Sequence, residues 1–165
     1  MVKRSANYLI HSVTFLAEEI FRRFLLVERK RSERSGDPWV LVHLDIEQLK
    51  QQHSPDLDPV LLDSICSCLA ATFRETDLIG WYQDQRAMGV IVTELRNGSG
   101  QGVPELILGK LRKGLRAQLS DEVLGLLGLS VYAFPETRAE DLPDEIRRAL
   151  FPEEALGFPA QRLAH

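Results

Sequence analysis

The stretch RETDLIGWYQDQRAMGVIVT, residues 74–93, carries the pattern that decides the fold. Two short runs within it, 78–82 and 88–93, are rich in apolar, β-branched and aromatic residues, and Gln83-Asp84-Gln85 begins the link between them. Such runs predict two antiparallel strands joined by a tight turn, although the turn lacks the glycine that short hairpins favour. The remaining helices and strands are predicted in the segments that precede and follow this hairpin in the sequence.

The segments on either side of the hairpin alternate between helix and strand patterns. Residues 39–46 are apolar on both faces, which predicts a central strand that is covered on both sides. Residues 127–133 alternate between apolar and polar and predict a further strand. Helices are predicted over 6–31, 59–73, 104–119 and 143–151. This order predicts a single α/β or α+β domain over 1–165, with helices packed on a mixed sheet.

The composition limits the classes of function. The chain has 165 residues, 44% hydrophobic and 27% charged, which suits one globular domain rather than a disordered chain. The formal net charge of −4 argues against a general nucleic-acid binder, because such proteins are usually basic. No apolar run is long enough to cross a bilayer, and residues 6–10 are too short and too polar for a signal peptide. We therefore expect a cytoplasmic protein without membrane insertion.

The cysteines and the strand histidine do not indicate a reactive or metal-binding site. Cys66 and Cys68 are two residues apart on a predicted helix, so their side chains point in different directions and can neither bridge easily nor share a metal. His43 lies inside a predicted strand, which favours a packed, hydrogen-bonded residue over a ligand. No Ser-His-Asp or Cys-His pattern is present, and the Gly-Ser-Gly at 98–100 is typical of a linker.

Three segments carry motifs that recur together in one family. LDIEQLK at 44–50 is similar to a strand-ending metal motif, D-I-D-x-F-K, with Glu47 in place of the second Asp. RETDLIGWY at 74–82 is similar to an R-x-x-D stretch that leads into a signature hairpin, and GLSVYAFP at 128–135 is similar to a late strand. In this order and spacing the segments resemble the GGDEF family, the fold of the diguanylate cyclases. The resemblance covers about residues 14–151 and implies a GGDEF-like, nucleotidyl-cyclase-like domain, with a central sheet of about five strands and helices on both sides.

The resemblance also implies a metal site and a signature hairpin. In that family two divalent metals assist the attack of a 3′-hydroxyl on an α-phosphate as two GTP molecules are joined. Asp45 matches one metal-binding carboxylate, and Glu47 stands beside it. The signature hairpin corresponds to Gln83, Asp84, Gln85, Arg86 and Ala87. Gln85 replaces the second acidic ligand, Arg86 replaces an acid, and both glycines that admit the phosphates are missing. A one-residue slip would instead offer Asp84 as a ligand.

These replacements predict a degenerate GGDEF domain that is not an enzyme and holds no cofactor. Asp45 and Glu47 would then be a vestigial metal position without magnesium. Two further positions agree with this expectation: His53 and Ser54 stand where the family reads guanine with Asn and Asp, and Glu154 falls where the family has a phosphate-binding Lys. An active cyclase that keeps Asp45 and Glu47 as a one-metal remnant is the least favoured alternative.

The R-x-x-D motif implies a ligand. Arg74 and Asp77 occupy the position of the family's inhibitory site, where the arginine binds a phosphate or stacks on guanine and the aspartate accepts from a guanine edge of cyclic di-GMP. The resemblance therefore implies a regulatory domain that senses cyclic di-GMP. The alternative is structural: Arg74 and Asp77 cap a helix end and pair with each other.

A second possible function is protein–protein interaction without a ligand. Trp81 and Tyr82 lie beside the altered hairpin and would anchor a partner if they were exposed, or would otherwise fill the space that a nucleotide occupies in active relatives. Active members of the family work as dimers, so a protein partner or self-association is also expected.

Overall fold

The structure is a computed structural model, which describes the backbone of residues 8–10, 13–53, 58–95 and 102–155. The six strands are β1 (Tyr8–Ile10), β2 (Val13–Leu16), β3 (Trp39–Asp45), β4 (Leu78–Gln83), β5 (Ala87–Val92) and β6 (Gly128–Phe134). The helices are α1 (Glu18–Ser35), α2 (Glu47–His53), α3 (Pro59–Thr72), α4 (Val103–Gln118), α5 (Asp121–Leu124), α6 (Asp144–Leu150) and α7 (Pro152–Ala155), with a 3-10 turn at Ala139–Asp141. The Gly-Ser-Gly stretch at 98–100 lies outside the described residues.

The strands form one mixed sheet in the order β1-β2-β4-β5-β3-β6. β3 runs antiparallel to both of its neighbours, β5 and β6, and all of its residues but the last are buried. β4 and β5 form an antiparallel pair, and β2 lies parallel to β4. The α+β class, the helix-covered mixed sheet and the central position of the strand at 39–46 are therefore confirmed. β1 adds a short edge strand to the five that the sequence led us to expect.

The N-terminal part of the predicted helix over 6–31 is wrong. β1 and β2 occupy residues 8–10 and 13–16, and α1 begins only at Glu18. Phe15 and Leu16 pair with β4 and are buried there, so a long-range strand pairing overrides the helical spacing of the apolar residues. α1 then ends at Gly36, which takes the left-handed conformation (φ 77°) that suits a helix C-terminus.

Helices cover both faces of the sheet. On one face α3 and α4 pack through Leu69 and Leu111 against a cluster that includes Trp81. On the other face α1 and α6 pack through Phe21 and Ile146 against a second cluster, which includes Tyr82. Neighbouring residues of β4 therefore anchor opposite layers, because side chains alternate along a strand.

Gly80 of β4 lies tightly against the paired residue Leu16 of β2. It pairs with Leu16, and a Cβ atom at residue 80 would lie 2.6 Å from the Leu16 carbonyl oxygen and 2.7 Å from its Cβ. Real Cβ atoms essentially never come that close to another heavy atom. The position therefore requires glycine for space rather than for backbone conformation.

The two cysteines are structural, as their spacing predicts. Cys66 and Cys68 lie on α3, and both thiols are free and buried. Burial, together with a smaller effect of the nearby Asp63 carboxylate, raises the pKa of the Cys66 thiol to about 12. A thiol in this state is a poor nucleophile and a poor metal ligand.

His43 is a buried histidine on β3, and it makes the fold sensitive to acid. Its ring lies edge-on to Tyr82 at 4.7 Å, and its Nε2 atom has no hydrogen-bond partner among the described residues. Burial lowers the pKa of His43 below 6.5, against the opposing influence of the Glu145 and Asp45 carboxylates. The sequence-based prediction of a packed histidine is confirmed, but the predicted hydrogen bond is absent from Nε2.

We expect His43 to weaken the fold as the pH falls. The unfolded chain takes up a proton near pH 6.5, before the folded chain does, so stability is lost between that pH and the lower pKa of the folded state, by up to about 1.4 kcal/mol per pH unit. Urea unfolding at pH 7.5 and pH 5 should show a smaller acid loss in His43→Leu than in the wild type. Equal losses in the two proteins would contradict this assignment.

Candidate functional site

The signature-hairpin residues form the link between β4 and β5. Asp84, Gln85 and Arg86 make the turn, and Gln83 pairs with Ala87 at its base. The Arg86 amide donates to the Gln83 carbonyl at 3.0 Å, and Gln85 takes a left-handed conformation with φ 62°. The predicted hairpin is confirmed. The missing glycine is replaced by a glutamine in a conformation that usually favours glycine.

Two hydrogen bonds hold this turn against the end of β3. The Ile46 amide donates to the Arg86 carbonyl at 2.9 Å, and the Lys50 Nζ atom donates to the Gln85 carbonyl at 2.8 Å. Asp45, the last residue of β3, pairs with the first residue of β5. The structure therefore brings the strand end and the hairpin together, as the resemblance implies.

The strand-end carboxylate also has a local structural role. The Oδ1 atom of Asp45 accepts a hydrogen bond from the Glu47 amide at 2.8 Å, which caps the first turn of α2. The Asp45 side chain is half-buried, whereas Glu47 is exposed. One lone pair of Asp45 is thus engaged by the backbone.

The described residues around the hairpin offer few of the oxygen ligands that the two-metal centre implied by the resemblance would need. Within the described residues, no group of three or more His, Cys, Asp or Glu side chains could hold a metal ion. Hard divalent cations need several oxygen ligands, and the turn offers the amide of Gln85 and the guanidinium of Arg86 beside the single carboxylate of Asp84. We therefore derive no metal-dependent step for this chain.

The R-x-x-D motif forms a closed turn between α3 and β4. The Asp77 amide donates to the Arg74 carbonyl at 3.0 Å, and the Arg74 amide donates to Asp77 Oδ2 at 2.9 Å. The Asp77 side chain is only 2% exposed, while the Arg74 side chain is 50% exposed. The two residues are therefore paired, as the structural alternative requires, but Arg74 remains accessible.

Two further contacts fix the direction of the Arg74 side chain. Its Nη2 atom donates to the Thr93 carbonyl at 2.7 Å and lies 3.6 Å from Asp77 Oδ1. Thr93 also lines a cavity of about 390 Å³ between the end of α1 and the residues after β5. Cationic Arg31 and the carboxylates of Asp37 and Glu94 line the same cavity. The guanidinium of Arg74 is thus held beside a polar cavity that carries both signs of charge.

Trp81 and Tyr82 are not exposed, so they do not serve as surface anchors. Their exposed fractions are 1% and 0%. Trp81 lies edge-on to Phe15 with ring centroids 5.4 Å apart, and the Tyr82 hydroxyl donates to the Glu145 carbonyl at 3.2 Å. Both side chains fill space in the two cores, which is the second of the two roles that the sequence left open.

Some of the expected site residues lie outside the described part of the chain. The residue Ser54 and the side chains of His53 and Glu154 fall in this group. A feature that the sequence analysis missed lies on α4, where KLRKGLR at 110–116 carries four cations and no acid. The charge run itself was the signal that could have revealed it.

The fold is that of a GGDEF domain. Solved structures that match include the GGDEF domain of YfiN (also called TpbB) from Pseudomonas aeruginosa, with a TM-score of 0.58 at 14% identity and coverage of 84% of each chain. The diguanylate cyclase SiaD from the same organism, in complex with its activator SiaC, matches with a TM-score of 0.53 at 20% identity, over 85% of this chain and 55% of that one. A DGC protein from Thermotoga maritima matches with a TM-score of 0.51 at 17% identity, over 84% of this chain and 92% of that one.

Neither a family model nor a curated protein sequence matches the chain. The likeness to solved structures therefore carries the assignment of the fold.

The prediction that the chain is not an enzyme is contradicted by these comparisons. The structures that share its fold include the diguanylate cyclase SiaD, which is an enzyme. The substitutions at Gln83, Asp84, Gln85, Arg86 and Ala87 do not by themselves show that an active site has been lost. The prediction was wrong because altered residue types, in the hairpin and at the other motif positions, do not by themselves establish a change in activity.

The described helices offer no candidate for a membrane span: none of them is both long enough and apolar enough.

Proposed function

We propose that this GGDEF-like domain is a regulatory receptor for cyclic di-GMP, and that Arg74 is the residue that binds it. The observation that carries the proposal is the state of the Arg74 side chain, which is half exposed yet held by the Thr93 carbonyl and the Asp77 carboxylate. A guanidinium held in this way loses little conformational freedom on binding, and its planar fork matches phosphate oxygens or the Hoogsteen edge of guanine. The proposal does not depend on whether the domain also turns over GTP.

The cavity beside Thr93 offers complementary groups for the rest of the ligand. Guanine presents N–H donors on its Watson–Crick edge, and the carboxylates of Asp37 and Glu94 line the cavity as acceptors. Arg31 lines the same cavity with its side chain 62% exposed, but its guanidinium already pairs with the Glu28 carboxylate at 2.8 Å, so Arg74 is the cation that we assign to the phosphodiesters. The carboxylates of the cavity are therefore suited to the guanines of the ligand, whereas its phosphates depend on Arg74.

Asp77 has a different role from the one that the resemblance implies. Its carboxylate is buried and accepts from the Arg74 amide, so it cannot reach a guanine edge without opening the turn. We assign Asp77 as a positioning residue that holds Arg74 in the binding geometry.

The test is a calorimetric titration of the full chain with cyclic di-GMP. We expect saturable heat for the wild type and an affinity at least about tenfold lower for Arg74→Ala, because charge-assisted hydrogen bonds contribute about 1.5–3 kcal/mol. Arg23→Ala is the matched control, since Arg23 is likewise an exposed arginine in a local ion pair, with Glu19, and does not line the cavity.

Two results would contradict the receptor proposal. One is the absence of heat at about 50 micromolar protein, a concentration at which even a weak micromolar complex forms. The other is an equal loss of affinity in Arg74→Ala and Arg23→Ala, which would mean that general charge rather than the Arg74 geometry attracts the ligand. Urea unfolding of both variants checks that the fold is intact.

A second candidate function, a protein-interaction module, is supported by an apolar patch on α1. Phe24 and Val27 are 39% and 43% exposed and lie three residues apart, so they share one side of the helix. SiaD, which has the same fold, is found in complex with a protein activator. Concentration-dependent sedimentation that is lost in Phe24→Asp would favour this second function, with a second copy of the chain as the partner.

A further inference from the structure

We propose that the groove between α4 and β6 binds an extended acidic segment of another protein, which adds as a strand to the free edge of β6. This inference is independent of the cyclic di-GMP proposal, because Arg74 and its cavity take no part in it.

The first observation is the open edge of the sheet. β6 (Gly128–Phe134) is seven residues long and pairs with β3 on one side, and no strand within the described residues pairs with its other side. Its residues are mostly half-buried, in contrast to the fully buried β5. Such an edge presents a row of backbone N–H and C=O groups that another extended chain can pair with.

The second observation is a groove of about 470 Å³ at the start of β6, between this strand, α4 and α5. Leu127 and Leu129 line it from the β6 side, and Leu115 and Leu124 line it from α4 and α5. A strand that is added to β6 would project every second side chain toward this apolar lining.

The third observation is the charge on the wall of the groove. Arg112 and Arg116 lie one helical turn apart on α4, line the groove and are exposed. Neither forms an ion pair with any side chain in the part of the chain that the structure describes. The nearby Lys110 and Lys113 are exposed as well, so α4 is a basic surface on a chain with a net charge of −4.

Together these features select the chemistry of the occupant. The two arginines require carboxylates, the leucines require apolar side chains, and the free edge requires an extended backbone. The segments of this chain outside the described residues contain one acidic residue, Asp56, so they are poor partners for the two arginines. The carboxylate of Asp121, which also lines the groove, and the four leucines beside it disfavour a nucleic-acid backbone.

The probe is a fluorescein-labelled peptide of seven alternating Glu and Val residues, titrated with the full chain and followed by fluorescence anisotropy. We expect saturable binding that weakens at least tenfold in the double variant Arg112→Glu, Arg116→Glu. The matched control is Lys110→Glu with Lys113→Glu, which makes the same charge change on the same helix away from the groove lining and should weaken binding less than threefold. Arg112→Gln with Arg116→Gln repeats the test without new negative charge.

A second peptide tests strand addition directly. Methylation of every second backbone amide removes the donors that a new strand would use, and we expect it to weaken binding at least tenfold. The proposal is overturned if the first peptide does not bind, if the arginine and lysine pairs have equal effects, or if the methylated peptide binds as well as its parent. Tighter, Arg112-dependent binding of a single-stranded oligonucleotide would also overturn it, since the surface would then be a nucleic-acid site.

Discussion

Gly80→Ala is expected to destabilise the domain by about 2–3 kcal/mol, because an added Cβ has no space between β4 and β2. The new atom would lie 2.6 Å from the Leu16 carbonyl oxygen. That oxygen belongs to the backbone of a paired strand, so it cannot move aside as the end of a flexible side chain can. β2 would have to separate from β4, which would loosen the buried contacts of Phe15 and Leu16.

Gly109→Ala provides the matched control for this prediction. Gly109 lies on α4, and a Cβ there meets nothing within 4 Å. Replacing a glycine in an exposed helix by alanine favours the folded state by about 0.5–1 kcal/mol. Urea unfolding should therefore move the two variants in opposite directions. Equal stability of Gly80→Ala and the wild type would mean that β2 is not packed on β4 as described.

Trp81→Ala is expected to have the largest effect of any single substitution considered, a loss of about 3–5 kcal/mol of unfolding free energy. Trp81 is 1% exposed and packs edge-on to Phe15 in the core under α3 and α4. Its removal leaves a cavity that the surrounding strands can fill only in part. Such a loss is a large fraction of the roughly 5–15 kcal/mol that stabilises a typical folded domain.

Phe24→Ala makes the corresponding aromatic deletion at the surface of α1. Phe24 is 39% exposed, so we expect a change of less than about 1 kcal/mol. Chemical denaturation followed by circular dichroism compares the two variants under the same conditions. A small effect of Trp81→Ala would contradict its place in the core and would restore it as a candidate for partner binding.

The sequence was most informative where local pattern and long-range structure agree. The hairpin at 78–93 and the buried strand at 39–46 were predicted because alternation, β-branched residues and chain length indicate strands without further context. The start of α1 was wrong because Phe15 and Leu16 fit a helical spacing, and only the pairing of β2 with β4 shows that they belong to a strand.

The sequence predicted which residues belong to the candidate site, but not how exposed their side chains are. The motif spacing located Asp45 near the hairpin and placed Arg74 beside Asp77, and the structure brings each pair together. Accessibility could not be inferred, because it depends on packing between elements that are distant in the chain. For this reason the burial of Asp77, Trp81 and Tyr82 emerged only from the structure.

The open edge of β6 and the basic groove beside it also could not be predicted from the sequence alone. The run at 110–116 is visible in the sequence as a concentration of charge. That it faces an unpaired strand edge follows only from the strand order, which leaves β6 at the end of the sheet.

The central claim is that Arg74, held by Thr93 and Asp77, binds cyclic di-GMP. Nuclear magnetic resonance tests it most directly, by following the guanidinium Nε–Hε signals of the full chain as cyclic di-GMP is added. The account predicts a saturable shift of the Arg74 signal, with the amide signals of residues 93–95 shifting at the same ligand concentrations and the Arg23 signal unchanged. Saturable binding that shifts other signals and leaves Arg74 and residues 93–95 unchanged would contradict it.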